Sequence, residues 1–269
     1  GLRPMQTVVE SIKSRIEDPS LVLIEAPMGE GKTEAAMTLA DQWSADRQQR
    51  GCYFALPTMA TSNQMFGRVR QFLETRFGDR KQQGNLMLLH GRASMSEALQ
   101  ELIAEAGANE PSSVGDNRGP SEAAVVASEW FTYRKRGLLA PYGVGTIDQL
   151  LFSVLRSRHV FVRLFGLAGK TVIIDEVHAY DAYMNELLER AITWLRELGV
   201  SIILLSATLP SVTRRRLIRS FLPQGNPDAE KDSVDQASVP CPRITWVSDQ
   251  TVDQHTFATA LARKIRLKF

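Results

Sequence analysis

The stretch "APMGEGKTEAAM", Ala26 to Met37, sets Lys32 and Thr33 just after two glycines, Gly29 and Gly31. It follows the apolar run "LVLIE" (21–25) and leads into residues with helical spacing. A loop between a strand and a helix N-terminus aims successive backbone N–H groups, and the positive end of the helix dipole, at one point, where a phosphate can sit. The glycines let the backbone come close. Lys32 adds a charged donor toward the β- and γ-phosphates of a nucleotide, and the Thr33 hydroxyl can ligate Mg2+. Met28, Gly29, Glu30, Gly31, Lys32, Thr33 and Glu34 are therefore expected to line ATP. Ala26 stands where the phosphate-loop pattern has its first glycine, so an ordinary helix start is the competing reading.

A second set of chemical groups comes much later in the chain. In "TVIIDEVH" (171–178) an apolar strand delivers Asp175 and Glu176 to its C-terminal end, where open α/β sheets place ligands. Asp175 can hold Mg2+ through water, while Glu176 can orient and deprotonate an attacking water for phosphoryl transfer. On its own the acidic pair reads as a helix cap; together with the lysine loop it reads as the second half of a nucleotide site. "SIILLSATLP" (201–210) repeats the layout, ending an apolar strand in Ser206 and Thr208 before Pro210 at a helix start.

Elements that could position these groups follow from the pattern of apolar runs. Strands are expected over 21–25, 52–57, 85–90, 123–128, 171–176, 201–208 and 243–247, several of them apolar at every position. Strands of that kind are buried on both faces, which predicts an α/β fold with a mostly parallel sheet flanked by helices on both faces. Helical spacing recurs through Ala36, Leu39, Ala40 and Trp43, and again through Met184, Leu187, Leu188, Ala191 and Leu195 before Gly199, a C-cap candidate. Two polar stretches, 107–121 and 223–242, read as exposed loops, and "RRR" at 214–216 as a solvated helix face that could flank a nucleic-acid path.

With 269 residues, 43% of them hydrophobic, the chain can bury a full core; its net charge of +2 is too mild to signal nucleic-acid binding by itself. Cys52 and Cys241 lack metal-like spacing, and Cys52 lies in a strand-like run. A reducing, cytoplasmic compartment is expected, with no membrane span, since no apolar run reaches the roughly 18 residues a membrane helix needs. A start at Gly1 rather than Met suggests a processed or excised segment.

"APMGEGKT", "DEVH" and "SAT" resemble motifs I, II and III of superfamily 2 helicases, in that family's order. Their company is more specific: "RPMQ" (3–6), "LPTMATSNQMFGRV" (56–69), "LLHGRA" (88–93), "SEWF" (128–131), "LLAPYGVGTIDQLL" (138–151) and "DEVHAYD" (175–181). Together they resemble the first RecA-like domain of the CRISPR-associated helicase-nuclease of type I systems, over nearly the whole chain. The resemblance implies that Gln6 reads adenine, that His178, Ser206 and Thr208 couple nucleotide state to grip on nucleic acid, and that Thr58, Arg68 and Thr146 touch the phosphates of single-stranded DNA. Such contacts grip a strand without reading its sequence, which suits a sliding motor. Trp130 and Phe131 could stack bases, though aromatic pairs more often belong to a core.

The same resemblance implies 3′-to-5′ movement driven by ATP, recruitment by an RNA-guided CRISPR surveillance complex, and two further parts. One is a second RecA-like domain carrying arginines; the other is a nuclease with a His-Asp metal site, on the same or a separate chain. Neither is expected here, because His90, His159, His178 and His255 are not followed by Asp and roughly twenty residues remain after Val247. The expected layout is a RecA-like ATP-binding domain over 1–222, an exposed loop over 223–242, and a last strand with the start of a connection over 243–269. An RNA-directed DExH helicase and a non-hydrolysing nucleotide-binding scaffold are the alternatives, and weak binding with little turnover is expected of this chain alone.

Overall fold

The computed structural model describes residues 4–12, 15–16, 19–77, 84–89, 125–126, 137–155, 160–223, 241–249 and 251–258. In chain order its first elements are α1 (Pro4–Ile12), β1 (Leu21–Glu25), α2 (Lys32–Asp46), β2 (Cys52–Leu56), α3 (Met59–Phe77), β3 (Gly84–Leu89), β4 (Val125–Val126) and β5 (Tyr142–Thr146). Then follow α4 (Ile147–Leu151), α5 (Val160–Leu167), β6 (Thr171–Ile174), α6 (Ala182–Glu197), β7 (Ser201–Ser206), α7 (Ser211–Phe221), β8 (Arg243–Val247) and β9 (Val252–Thr256). The chain divides into two compact units, Gly1–Gln49 with Ile173–Phe269, and Arg50–Val172.

In the first unit the strands stand in the order β6-β7-β1-β8-β9. β1 runs parallel to β7, pairing Glu25 with Ser206, and antiparallel to β8, pairing Glu25 with Arg243. Every residue of β1, β7 and β8 is buried. Since successive side chains point to opposite faces, both faces of this sheet are covered, as the unbroken apolar runs require. Asp181 caps α6 by accepting from the Met184 N–H at 2.8 Å. The helix ends where expected: Gly199 takes φ 68°, just past the C-cap Leu198, and the Val200 N–H reaches back to the Leu195 carbonyl at 2.9 Å.

One expectation for this unit is corrected. Arg214 is not on a solvated face: it is 4% exposed, in register with the buried Leu217, Ile218 and Phe221 of α7. Positions 214, 217, 218 and 221 share one side of a helix, so the first arginine of the triplet points inward while Arg216 stays outside.

The second unit orders its strands β4-β3-β5-β2, with β2 and β5, β3 and β5, and β3 and β4 all parallel. β5 was not expected, because two of its five residues are glycines. Their lack of a side chain is what the packing requires: a Cβ on Gly145 would run into the Leu89 carbonyl and the Tyr53 hydroxyl, and one on Gly143 into the Tyr53 ring. Tyr53 fills that space and donates to the Thr146 carbonyl at 3.3 Å. The expected strands over 171–176 and 201–208 end earlier, at Ile174 and Ser206, where the chain leaves the sheet to form a site. The loop over 107–121, most of that over 223–242, and His90, Trp130, Phe131 and His159 lie outside the described residues. Among the described residues no helix is long and apolar enough to cross a membrane.

Candidate active site

The site forms in the first unit, where β1, β6 and β7 end. After Glu25 the chain turns through Ala26 to Gly31 and enters α2 at Lys32. Gly29 and Gly31 take φ 86° and 87°, a left-handed conformation that side chains other than glycine's resist. Gly31 is also the N-cap of α2, and the Ala35 N–H closes the first turn onto its carbonyl at 3.0 Å. Met28 is exposed, while the side chain of Glu30 is buried, leaving its backbone as what it can offer a phosphate. Thr33 is largely buried behind the turn.

The Lys32 ammonium lies across this turn, donating to the Ala26 carbonyl at 2.6 Å and the Pro27 carbonyl at 3.1 Å. Burial pulls its pKa down; the carboxylates of Asp175 and Glu176 pull it back up. The lysine of the early loop and the acidic pair found 143 residues later therefore act on one another's charge.

The acidic pair is held tightly. Asp175, 9% exposed, accepts from the Glu176 N–H at 2.8 Å, and the Tyr180 hydroxyl donates to its carbonyl at 2.9 Å. Glu176 has φ 56° and ψ 38°, a region costly for a residue with a Cβ, and one that clusters at functional sites. That turn directs the Glu176 carboxylate to the His178 Nε2, 3.0 Å away. The other ring nitrogen, Nδ1, meets the Ser206 hydroxyl at 3.3 Å and the Ala207 N–H at 3.4 Å. Since a backbone N–H can only donate, Nδ1 accepts and the ring proton sits on Nε2, facing Glu176. The Ser206 hydroxyl, 3.0 Å from the Thr208 carbonyl, shares its single proton between that oxygen and Nδ1, so Thr208 joins through its backbone while its side chain is exposed.

Other expected site residues stand elsewhere. Gln6 is half-buried on α1. In the second unit Thr58 and Thr61 form a reciprocal cap on α3: the Thr61 N–H donates to the Thr58 hydroxyl and the Thr58 N–H to the Thr61 hydroxyl, each at 3.2 Å. Arg68 is exposed along α3, and Thr146, 6% exposed, is the N-cap of α4. Sequence reasoning gave no role to Glu25, whose 1%-exposed carboxylate takes the Arg243 guanidinium in a fork at 2.7 and 2.9 Å. Its signal was present: an acid closing an otherwise apolar strand needs a buried partner.

No family model matches the chain. It is 44% identical over 243 residues to the CRISPR-associated endonuclease/helicase Cas3 of Thermus thermophilus, covering 89% of this chain and 25% of that protein. The CRISPR-associated nuclease/helicase Cas3 of Streptococcus thermophilus is 36% identical over 254 residues, 94% of this chain and 27% of the relative. The chain is a homologue of Cas3 proteins. The crystal structure of T. fusca Cas3-ATP superimposes with a TM-score of 0.77 at 33% identity, over 97% of this chain and 28% of that one. A chain of the CRISPR RNA-guided surveillance complex, pre-nicking, matches at TM-score 0.65 and 30% identity, over 97% of this chain and 26% of that one. The fold is thus RecA-like α/β, as expected, and the chain spans about a quarter of the length of the Cas3 relatives it matches.

Proposed function

We propose that this chain is the ATP-binding half of a superfamily 2 motor that moves along single-stranded DNA in CRISPR interference. The observation that carries the reading is the continuation of Glu176 through His178 to Ser206, beside a Lys32 ammonium that feels the charge of Asp175 and Glu176. Likeness to helicase-nucleases, and to a Cas3-ATP structure, supports nucleotide hydrolysis as the chemistry. A surveillance-complex chain of similar fold supports an RNA-guided complex as the partner; the setting we infer is the cytoplasm.

The residues fit a magnesium triphosphate: left-handed glycines open the turn, Lys32 carries the charge, and Thr33 and Asp175 are oxygen donors suited to Mg2+. Bound Mg2+ would neutralise charge on the transferring phosphoryl group. Lys32 exchanges its two carbonyl partners for phosphate oxygens, and the backbone N–H groups of Met28 to Thr33 close around them. Glu176 orients the attacking water and takes its proton, while the Nε2–H of His178 fixes which way the carboxylate faces. Any change at Glu176 reaches Ser206 through that ring, which gives His178, Ser206 and Thr208 their coupling role, while Thr58, Arg68 and Thr146 grip the strand. Gln6 reads adenine. A second RecA-like domain supplies the arginines that complete the site, and a His-Asp nuclease acts on the DNA delivered.

The test is titration of a fluorescent ATP with Mg2+ into the parent chain, Lys32→Ala and Glu176→Gln. Losing charge-assisted bonds of about 1.5–3 kcal/mol makes Lys32→Ala bind roughly 10- to 100-fold more weakly. Glu176→Gln keeps binding, because its role begins at the water. Parental affinity in both variants would remove the assigned roles.

A further inference from the structure

Glu25 lies where the lysine turn begins, and it makes more connections than a strand end needs. Its carboxylate accepts the Arg243 fork from β8, the Arg214 guanidinium from α7 at 3.5 Å, and the Leu209 N–H at 3.3 Å. All three charged residues are at most 6% exposed. A buried carboxylate and two buried guanidiniums are expensive to hold and are commonly replaceable by apolar residues without loss of stability, so stability alone does not account for them.

Their placement does. Residues 25 and 26 hold the segment Ser206–Leu209 at both ends: the Ala26 N–H donates to the Ser206 carbonyl at 3.1 Å, and the Glu25 side chain takes the Leu209 N–H. On the other side, the Ala26 carbonyl is a partner of Lys32. The segment so held is the one whose Ser206 and Ala207 meet His178. Displacing the lysine turn therefore displaces the His178 contact, provided the carboxylate stays in its fork.

Resting on the motor reading above, we propose that Glu25, oriented by Arg243 and Arg214, is a positioning residue that ties the phosphate turn to the Ser206–Leu209 segment, so that nucleotide binding moves the partner of His178.

Two variants test it in this chain. Arg243→Lys keeps the charge but not the two-pronged geometry. The combined Glu25→Leu, Arg214→Met and Arg243→Met variant replaces the whole cluster with apolar side chains of similar size and so guards against a failure to fold. The readouts are affinity for a fluorescent ATP with Mg2+ and the change in the His178 ring Cε1–H NMR signal at saturating nucleotide. The expected result is affinity within about threefold of the parent for both variants, with the His178 response at least halved in Arg243→Lys and absent in the combined variant. This split separates coupling from simple structural support, which would lower affinity and leave the response per bound nucleotide intact. Variants that bind nucleotide and give the full parental response would overturn the proposal alone. Failure of the parent to bind nucleotide would overturn the motor reading, and this inference with it.

Discussion

Lys170 offers a prediction whose size can be worked out from its surroundings. The residue closes the turn before β6, is 3% exposed, and donates to the carbonyls of Leu138 and Ala140, each at 2.5 Å. Burial pulls its pKa from 10.5 down to about 7, helped by Arg50 and opposed by Cys52. Below pH 7 the lysine is protonated both folded and unfolded, and the folded state carries the whole penalty of burying the charge. From about pH 7 to 10.5 the unfolded chain holds a proton that the folded chain has released, so stability rises with pH. At about 1.4 kcal/mol per pH unit the ceiling over that window is near 5 kcal/mol, and the part between pH 7 and 9 is about 2 kcal/mol. Urea unfolding of the parent and of Lys170→Met at pH 7, 8 and 9 isolates this contribution, because all other titrations cancel in the difference. The parent is expected to gain about 2 kcal/mol on the variant across the series. Parallel pH profiles would show that Lys170 stays charged, and the burial argument would fail.

Three further outcomes follow from other parts of the molecule. His178→Ala, at a side chain one-third exposed, is expected to leave the melting temperature nearly unchanged but to lower ATP hydrolysis about 10- to 100-fold in a protein that includes the second RecA-like domain, because Glu176 loses its orienting partner. Hydrolysis at the parental rate would show that the ring does not orient the base. Gly145→Ala is expected to destabilise by about 1–3 kcal/mol, since its methyl has no space beside Leu89 and Tyr53. Gly67→Ala, whose added methyl meets nothing within 4 Å on α3, should stabilise by about 0.5–1 kcal/mol; thermal unfolding of both distinguishes packing from backbone effects.

How far the sequence could be read depended on whether a residue's partner lay in the same pattern. β1, β7 and β8 were legible because full burial leaves an unbroken apolar run, and β8 matched residue for residue. β9, "VDQHT", was not, since only its first residue is buried and its pairing to β8 is made by backbone. β5 was hidden for the opposite reason: the bulk that fills its glycine positions belongs to Tyr53, on another strand. The turns that carry the proposed nucleotide site were legible because each is a local strand-to-turn pattern. The partners of Glu25 were not, because Arg214 and Arg243 come 189 and 218 residues later and nothing local distinguishes them from surface arginines.

That difference bears on how the site works. The groups that a sequence pattern exposes, Lys32, Asp175 and Glu176, are those proposed to touch the chemistry, and they are set by short turns. The groups that it hides, Glu25 with its two arginines, are spent on one another and join three elements that are far apart in the chain. A motor needs both, because hydrolysis at one point must become displacement at another. Short turns can place a base beside a phosphate, but only a rigid cross-connection makes the strand end bearing Ser206 follow the turn bearing Lys32. At the end of β1 the two requirements meet in consecutive residues: Glu25 anchors the Ser206–Leu209 segment, and Ala26 joins that segment to Lys32.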